Sequence, residues 1–206
     1  EAQRSGKGQV VDAAMVDGSA TLMAIIYGMY AQGAWKDERG VNVLDTGAPW
    51  YDVYKTKDGK WLSVGSIEGR FYDELLQRLG LDPATLPKRG DRKGWPDIRR
   101  RLADTIASKT RAEWDEIFAG SDACVAPVMS LAEAEGHSHN KARNTFTTRD
   151  GVLQPQPAPR FSRTKPELGS APKRAGVDTD AVLKDFGFNA EEIADLKKGG
   201  IVGVAS

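Results

Sequence analysis

NVLDTGAPWYDVYKTKDGKWLSVGSIEGRFY, residues Asn42 to Tyr72, reads as a loop, a strand, a tight turn, a second strand and then a carboxylate at the mouth of a helix. Asn42–Pro49 is rich in Gly, Pro and Asp. Trp50–Lys55 and Lys60–Val64 are aromatic and β-branched, and Lys57-Asp58-Gly59 between them signals a hairpin, because Asp-Gly tolerates the positive φ of a tight turn. Ser66 stands where an N-cap is expected. Glu68 falls in the first turn of a helix predicted over Glu68–Leu79, where unpaired backbone N–H groups favour an anion. Two readings of Glu68 stand at this point. It complements a helix dipole, or, beside the aromatic pair Trp50-Tyr51, it is half of a proton-transfer site.

Downstream, Phe71, Tyr72, Leu75, Leu76 and Leu79 share one helical face, and Gly80 stops the helix. After a Pro-containing break at Asp82–Pro87, Trp95, Ile98, Leu102 and Ile106 mark a helix from about Asp91 to Ser108. Thr110-Arg111-Ala112-Glu113 is a capping box before a helix carrying Trp114, Ile117 and Phe118. Ala123–Val128 is a short strand. These elements make an α+β unit from about Val41 to Leu131.

Upstream, Arg4–Gly8 is a polar turn that lacks the spacing of a phosphate loop. Gln9–Val11 reads as a short strand, and Asp12–Ala31 as a helix apolar nearly all round, buried on most faces. Such a helix needs a further layer over it, from a partner subunit or another domain. The charge-free segment Gly18–Trp35 is at the short end for a membrane span and is interrupted by polar residues and Gly, so a buried helix is the reading. Beyond Leu131, Phe146–Leu153 reads as a hairpin around Arg149-Asp150-Gly151. Gln154–Pro159 and Lys165–Pro172 are extended connectors. Asp178–Phe186 is a short helix, and Asn189 caps a second one that ends at Gly199-Gly200.

The 206 residues carry no formal net charge, so no global field points to nucleic acid or to an anionic membrane. Arg99-Arg100-Arg101 reads as a solvated helix face. The single Cys124 excludes an internal disulfide, fits a reducing, cytoplasmic setting and lies in an apolar run that suggests a buried structural thiol. No secretory signal is recognisable, and the chain does not begin with Met. His137-Ser138-His139 lacks further spaced ligands, so no metal is expected.

Taken together, GKGQVVDAAMVDGSA (Gly6–Ala20), NVLDTGAPWYDVYKTKDGKWLSVGSIE (Asn42–Glu68), FYDELLQRLGL (Phe71–Leu81), SDACVAPVMS (Ser121–Ser130) and PAPRFSRT (Pro157–Thr164) resemble one family. The chain is similar to the C-terminal half to two-thirds of the α-methylacyl-CoA racemases, which belong with the class III CoA-transferases. The GAPWYDVY block followed by SIE favours the racemase branch. The resemblance implies an α/β fold. In it an α+β small domain is joined to part of a Rossmann-like large domain in an intertwined homodimer, with the N-terminal half lying upstream of this chain. Residues 1–40 are then a strand and linking helix from the large domain, 41–131 the small domain, and 132–206 a connector returning to the large domain. It implies racemisation of 2-methylacyl-CoA thioesters without a cofactor, CoA being part of the substrate. Glu68 maps onto the Glu of the catalytic set, paired to a His that lies upstream with an Asp. Leu44, Tyr51 and Ile67 match positions lining the acyl-CoA pocket. The family's Pro after that Glu is Gly69 here, which loosens the helix start. Two alternatives remain at this stage: a CoA-transferase moving CoA between carboxylic acids, and a non-catalytic dimerisation module built on Asp12–Ala31.

Overall fold

The computed structural model describes residues 2–169 and 173–203, so the end of the second expected connector, 170–172, lies outside the described residues. The chain divides into two compact units, Glu1–Met129 and Ser130–Ser206. In the first, helices α1 (Met15–Leu22) and α2 (Ala24–Ala31) are separated at Met23. Strands β1 (Tyr51–Lys55) and β2 (Trp61–Gly65) form the hairpin. Helices α3 (Gly69–Leu79), α4 (Trp95–Ile106) and α5 (Arg111–Phe118) follow, and β3 (Val125–Val128) completes an antiparallel sheet of order β1-β2-β3.

The hairpin turns at Asp58-Gly59, with Gly59 at φ 75°, and pairs Tyr51 with Gly65 and Lys55 with Trp61. Strand β3 sets Val125 opposite Val64 and Val128 opposite Trp61. This register gives the sheet two unlike faces, because successive side chains point to opposite sides. Tyr54, Leu62 and Val64 are buried under the helices. Tyr51, Val53, Trp61 and Val128 face outward. The core joins that inner face to Tyr72, Leu75, Leu76 and Leu79 of α3, Trp95, Ile98, Leu102 and Ile106 of α4, and Trp114 and Phe118 of α5. These are the stripes read from the sequence. Gly80 ends α3 in the left-handed conformation, and Thr110 and Glu113 form both halves of the capping box.

The N-terminal expectations need correction. No strand forms at Gln9–Val11, since no described strand lies beside it to complete a ladder. The helix expected over Asp12–Ala31 is two shorter ones, and no residue of either is buried. Met15 is 88% exposed, Leu22 83% and Ile25 68%. The all-round apolar pattern that suggested a buried helix therefore finds no covering layer in these residues. Among the described residues no helix is long and apolar enough to cross a membrane.

In the second unit β4 (Phe146–Arg149) and β5 (Val152–Pro155) pair as the expected hairpin around Asp150-Gly151. Two short helices precede them, Leu131–Ala134 and Ser138–Ala142. Helices α6 (Thr179–Asp185) and α7 (Ala190–Lys198) close it, the second capped reciprocally by Asn189 and Glu192. His137 caps the Ser138–Ala142 helix, its Nδ1 accepting from the His139 backbone N–H at 3.3 Å.

Candidate functional site

The site begins with the loop that leads into β1. Asn42 is fully buried. Its Oδ1 accepts from the Lys36 N–H at 2.8 Å, and its Nδ2 donates to the carbonyls of Lys36 and Glu38 and to Asp45 Oδ2. Asp45 in turn accepts from the N–H groups of Gly40, Asn42 and Gly47. Burial raises its pKa, but the hydrogen bonds from Asn42, Gly40 and Gly47 outweigh that and hold the carboxyl below its ordinary value. At Gly47 a Cβ would lie 2.4 Å from the Asn42 carbonyl oxygen, so only glycine allows the loop to close on itself. The Tyr54 hydroxyl ties the loop to the sheet by donating to the Pro49 carbonyl at 2.5 Å, and burial pushes its phenol well up. Arg99 adds a second tie. It donates to the carbonyls of Thr46 and Gly47 and pairs with Asp52. Arg100 and Arg101 pair with Asp97, so the basic run is spent on neighbours within the fold, as a solvated face would be.

Against the outer face of the sheet lies a groove of about 390 Å³, lined by Thr46, Tyr51, Val53, Ser63, Gly65 and Cys124 among others. Tyr51 and Gly65 are register partners, so the groove spans the strand pair where β2 runs out toward Glu68. Cys124 is exposed here, contrary to the expectation of a buried thiol. It takes φ 53° just before β3, which turns the side chain to the outer face while its neighbour Ala123 stays buried. Partial desolvation raises the thiol's pKa above its ordinary value. The negative charges of Glu68 and Asp122 act in the same direction, and Arg70 opposes them.

The segment Gly65–Glu68 is held by its backbone. The Gly65 N–H donates to the Cys124 carbonyl and the Ile67 N–H to the Gly65 carbonyl, both at 2.9 Å. Ser66 does not cap the helix, as the sequence suggested. It is fully buried, and its hydroxyl donates to the Ala123 carbonyl at 2.5 Å, a nonlocal partner that competes successfully with the local one. The N-cap is Glu68 itself, in extended conformation and with no side-chain cap hydrogen bond. Helix α3 thus begins one residue later than predicted. The exposed Glu68 carboxylate accepts no hydrogen bond among the described residues, which leaves both oxygens free for a partner group.

Of the four residues singled out in the sequence, Tyr51 lines the groove. Ile67 and Glu68 follow directly from the strand that forms its floor. Leu44 lies on the Asn42–Asp45 loop, outside the lining. Tyr51, Leu44 and Ile67 are each more than a third exposed. Sequence reasoning missed Arg89. Its guanidinium stacks 4.4 Å from the centre of the Trp50 ring and 4.8 Å from that of Tyr72, and its Nη2 donates to the carbonyls of Ser66, at 3.1 Å, and of Ile67. No local signal in Lys88-Arg89-Gly90 marks it, because its partners come from three other segments.

Residues 1–179 match CoA-transferase family III. The chain belongs to that family. Within it, the chain is 46% identical to the mouse alpha-methylacyl-CoA racemase over 98% of its length and 42% identical to the human one over 97%. It covers 54% and 53% of those two proteins, so the chain spans about half the length of the curated relatives it matches. A succinyl-CoA–L-malate CoA-transferase beta subunit of Chloroflexus aurantiacus is 26% identical over 97% of the chain and 52% of that protein. The fold is that of a CAIB/BAIF family protein from Brucella suis, with a TM-score of 0.64 at 19% identity over 89% of this chain and 50% of that one.

Proposed function

We propose that the protein carrying this chain racemises 2-methylacyl-CoA thioesters by 1,1-proton transfer. In this reading a base removes the proton from Cα, the electron pair moves onto the thioester oxygen to give an enolate, and an acid on the opposite face returns a proton to carbon. The chain supplies one wall of the pocket. Tyr51, Leu44 and Ile67 offer apolar surface to the acyl group, and Glu68 orients and polarises a His contributed from outside these residues. The identity to two racemases favours this over the broader family chemistry. The observation that carries it is the exposed Glu68 carboxylate, which follows the strand lining the groove on a loop held through Ser66 and accepts no hydrogen bond among the described residues. The completed site belongs to an intertwined homodimer in the same reading.

The test is Glu68→Gln in the complete polypeptide. Racemisation and the exchange of the Cα proton with deuterated water are expected to fall together, and unchanged exchange sinks the reading. A second reading, transfer of CoA between carboxylates through an Asp nucleophile, draws on the likeness to the malate CoA-transferase subunit. Deuterium entering Cα with no acceptor acid present supports the racemase. A trapped covalent CoA adduct supports the transferase.

A further inference from the structure

We propose that Arg89 is the positioning residue for Glu68: lying over the adjoining rings of Trp50 and Tyr72, its guanidinium holds the Ser66–Ile67 backbone and so fixes where the carboxylate stands. The inference rests on the reading of Glu68 given above.

The need for such a clamp follows from the local sequence. Glu68 caps α3 with its backbone only, and the residue after it is Gly69, whose missing Cβ leaves the helix start with wide backbone freedom. The helix side therefore does little to aim the carboxylate. The constraint comes from upstream, and Arg89 grips the last two carbonyls before Glu68. Ser66 is also fastened on its other side, through its hydroxyl to Ala123.

Arg89 is itself immobilised. Its carbonyl accepts from the Trp95 indole N–H at 2.9 Å, and Trp95 packs edge-on to Trp50 with ring centres 5.3 Å apart. Trp50 also packs edge-on to Tyr72, at 5.5 Å. Trp50 and Tyr72 thus meet the guanidinium, and Trp95 of α4 backs Trp50 and holds the Arg89 backbone. Arg89 forms no ion pair among the described residues; aromatic faces and two carbonyls take the place of a carboxylate. Only a planar fork does both things at once, stacking by its faces while donating in its plane, so lysine is not an equivalent here. Burial lowers the guanidinium from its ordinary value, and the negative charges of Asp73 and Glu68 act against that. Glu68 and Arg89 therefore feel each other at a distance, without touching.

A double-mutant cycle in the complete polypeptide tests the inference, with Cα deuterium exchange of a 2-methylacyl-CoA as readout and thermal midpoints alongside. Arg89→Met is expected to lower the turnover number for exchange by up to about a hundredfold, the scale set by a small misplacement of a catalytic set, with KM changing far less. Arg89→Lys is expected to behave like Arg89→Met rather than like the wild type. In the Glu68→Gln background neither substitution is expected to lower exchange further. Arg89→Lys keeps the charge and the stem, so it decides the matter should Arg89→Met not fold. Equal losses in both backgrounds, or wild-type turnover in Arg89→Lys, overturn the inference and leave the role of Glu68 intact. Unchanged exchange in Glu68→Gln alone overturns both.

Discussion

Replacing Asn42 with Ala removes a buried amide that makes four side-chain hydrogen bonds, to the Lys36 N–H, the Lys36 and Glu38 carbonyls and Asp45. Each such bond contributes a net ~0.5–1.5 kcal/mol, and groups left buried without partners add to the loss. Lys36 and Glu38 are exposed residues, so water recovers part of what the amide supplied. The expected destabilisation is about 2–4 kcal/mol, a large share of a typical total of about 5–15 kcal/mol. With a urea dependence of about 2 kcal/mol per molar, the unfolding midpoint falls by roughly 1–2 M. Trp50, Trp95 and Trp114 are buried in the core this loop adjoins, so tryptophan fluorescence reports the transition. Glu38→Ala is the control. Only the backbone carbonyl of Glu38 serves the amide, and its substitution is expected to stay within about 0.5 kcal/mol. A midpoint shift below about 0.3 M in Asn42→Ala refutes the account of the loop as organised by this one side chain.

Three further outcomes follow. Asp45 sits below its ordinary value of 3.8, so its contribution to stability is complete above that pH and is lost as pH falls through the folded-state value. The stability difference between wild type and Asp45→Asn is expected to shrink on acidification, and a difference that grows contradicts the sign. Leu102→Ala empties a fully buried position in α4 and is expected to cost about 2–5 kcal/mol in chemical denaturation, whereas Arg100→Ala on the exposed face of the same helix stays within about 0.5 kcal/mol. Cys124 is expected to react with iodoacetamide in the folded protein, with a rate midpoint above the ordinary 9.0. A 2-methylacyl-CoA should slow that reaction if the groove receives it, and absence of protection counts against the groove as the acyl-CoA wall.

What the sequence made legible was local in cause. The Asp58-Gly59 turn, the Gly80 stop and the Thr110 and Asn189 caps each depend on residues a few positions apart, and each formed as read. The apolar stripes of α3, α4 and α5 were equally plain, because helical periodicity writes the buried face into the order of residues. Reading failed where the partner is distant. Ser66 carries every mark of an N-cap, yet it spends its hydroxyl on Ala123. Cys124 sits in an apolar run, yet a positive φ turns it outward. Asn42 looked like one more loop residue. Arg89 drew no notice at all, since the aromatic faces that hold it come from Trp50 and Tyr72. The exposed α1 and α2 failed for another reason. Their composition is right for burial, and the burying surface is not among these residues.

The bond from Ser66 to Ala123 joins residues 57 apart in sequence, whereas the β1-β2 hairpin closes over a turn of a few residues. Loop-closure entropy rises with the length of chain enclosed, so a refolding chain is expected to zip the hairpin early and to dock β3 late. Ser66 and the carbonyl of Cys124 that pins Gly65 both wait on that docking. The Glu68 loop thus completes its hydrogen bonds only when β3 has docked. Recovery of the site's geometry should lag formation of the hairpin in a refolding experiment, and substitutions along β3 should act first on the speed with which the carboxylate becomes usable.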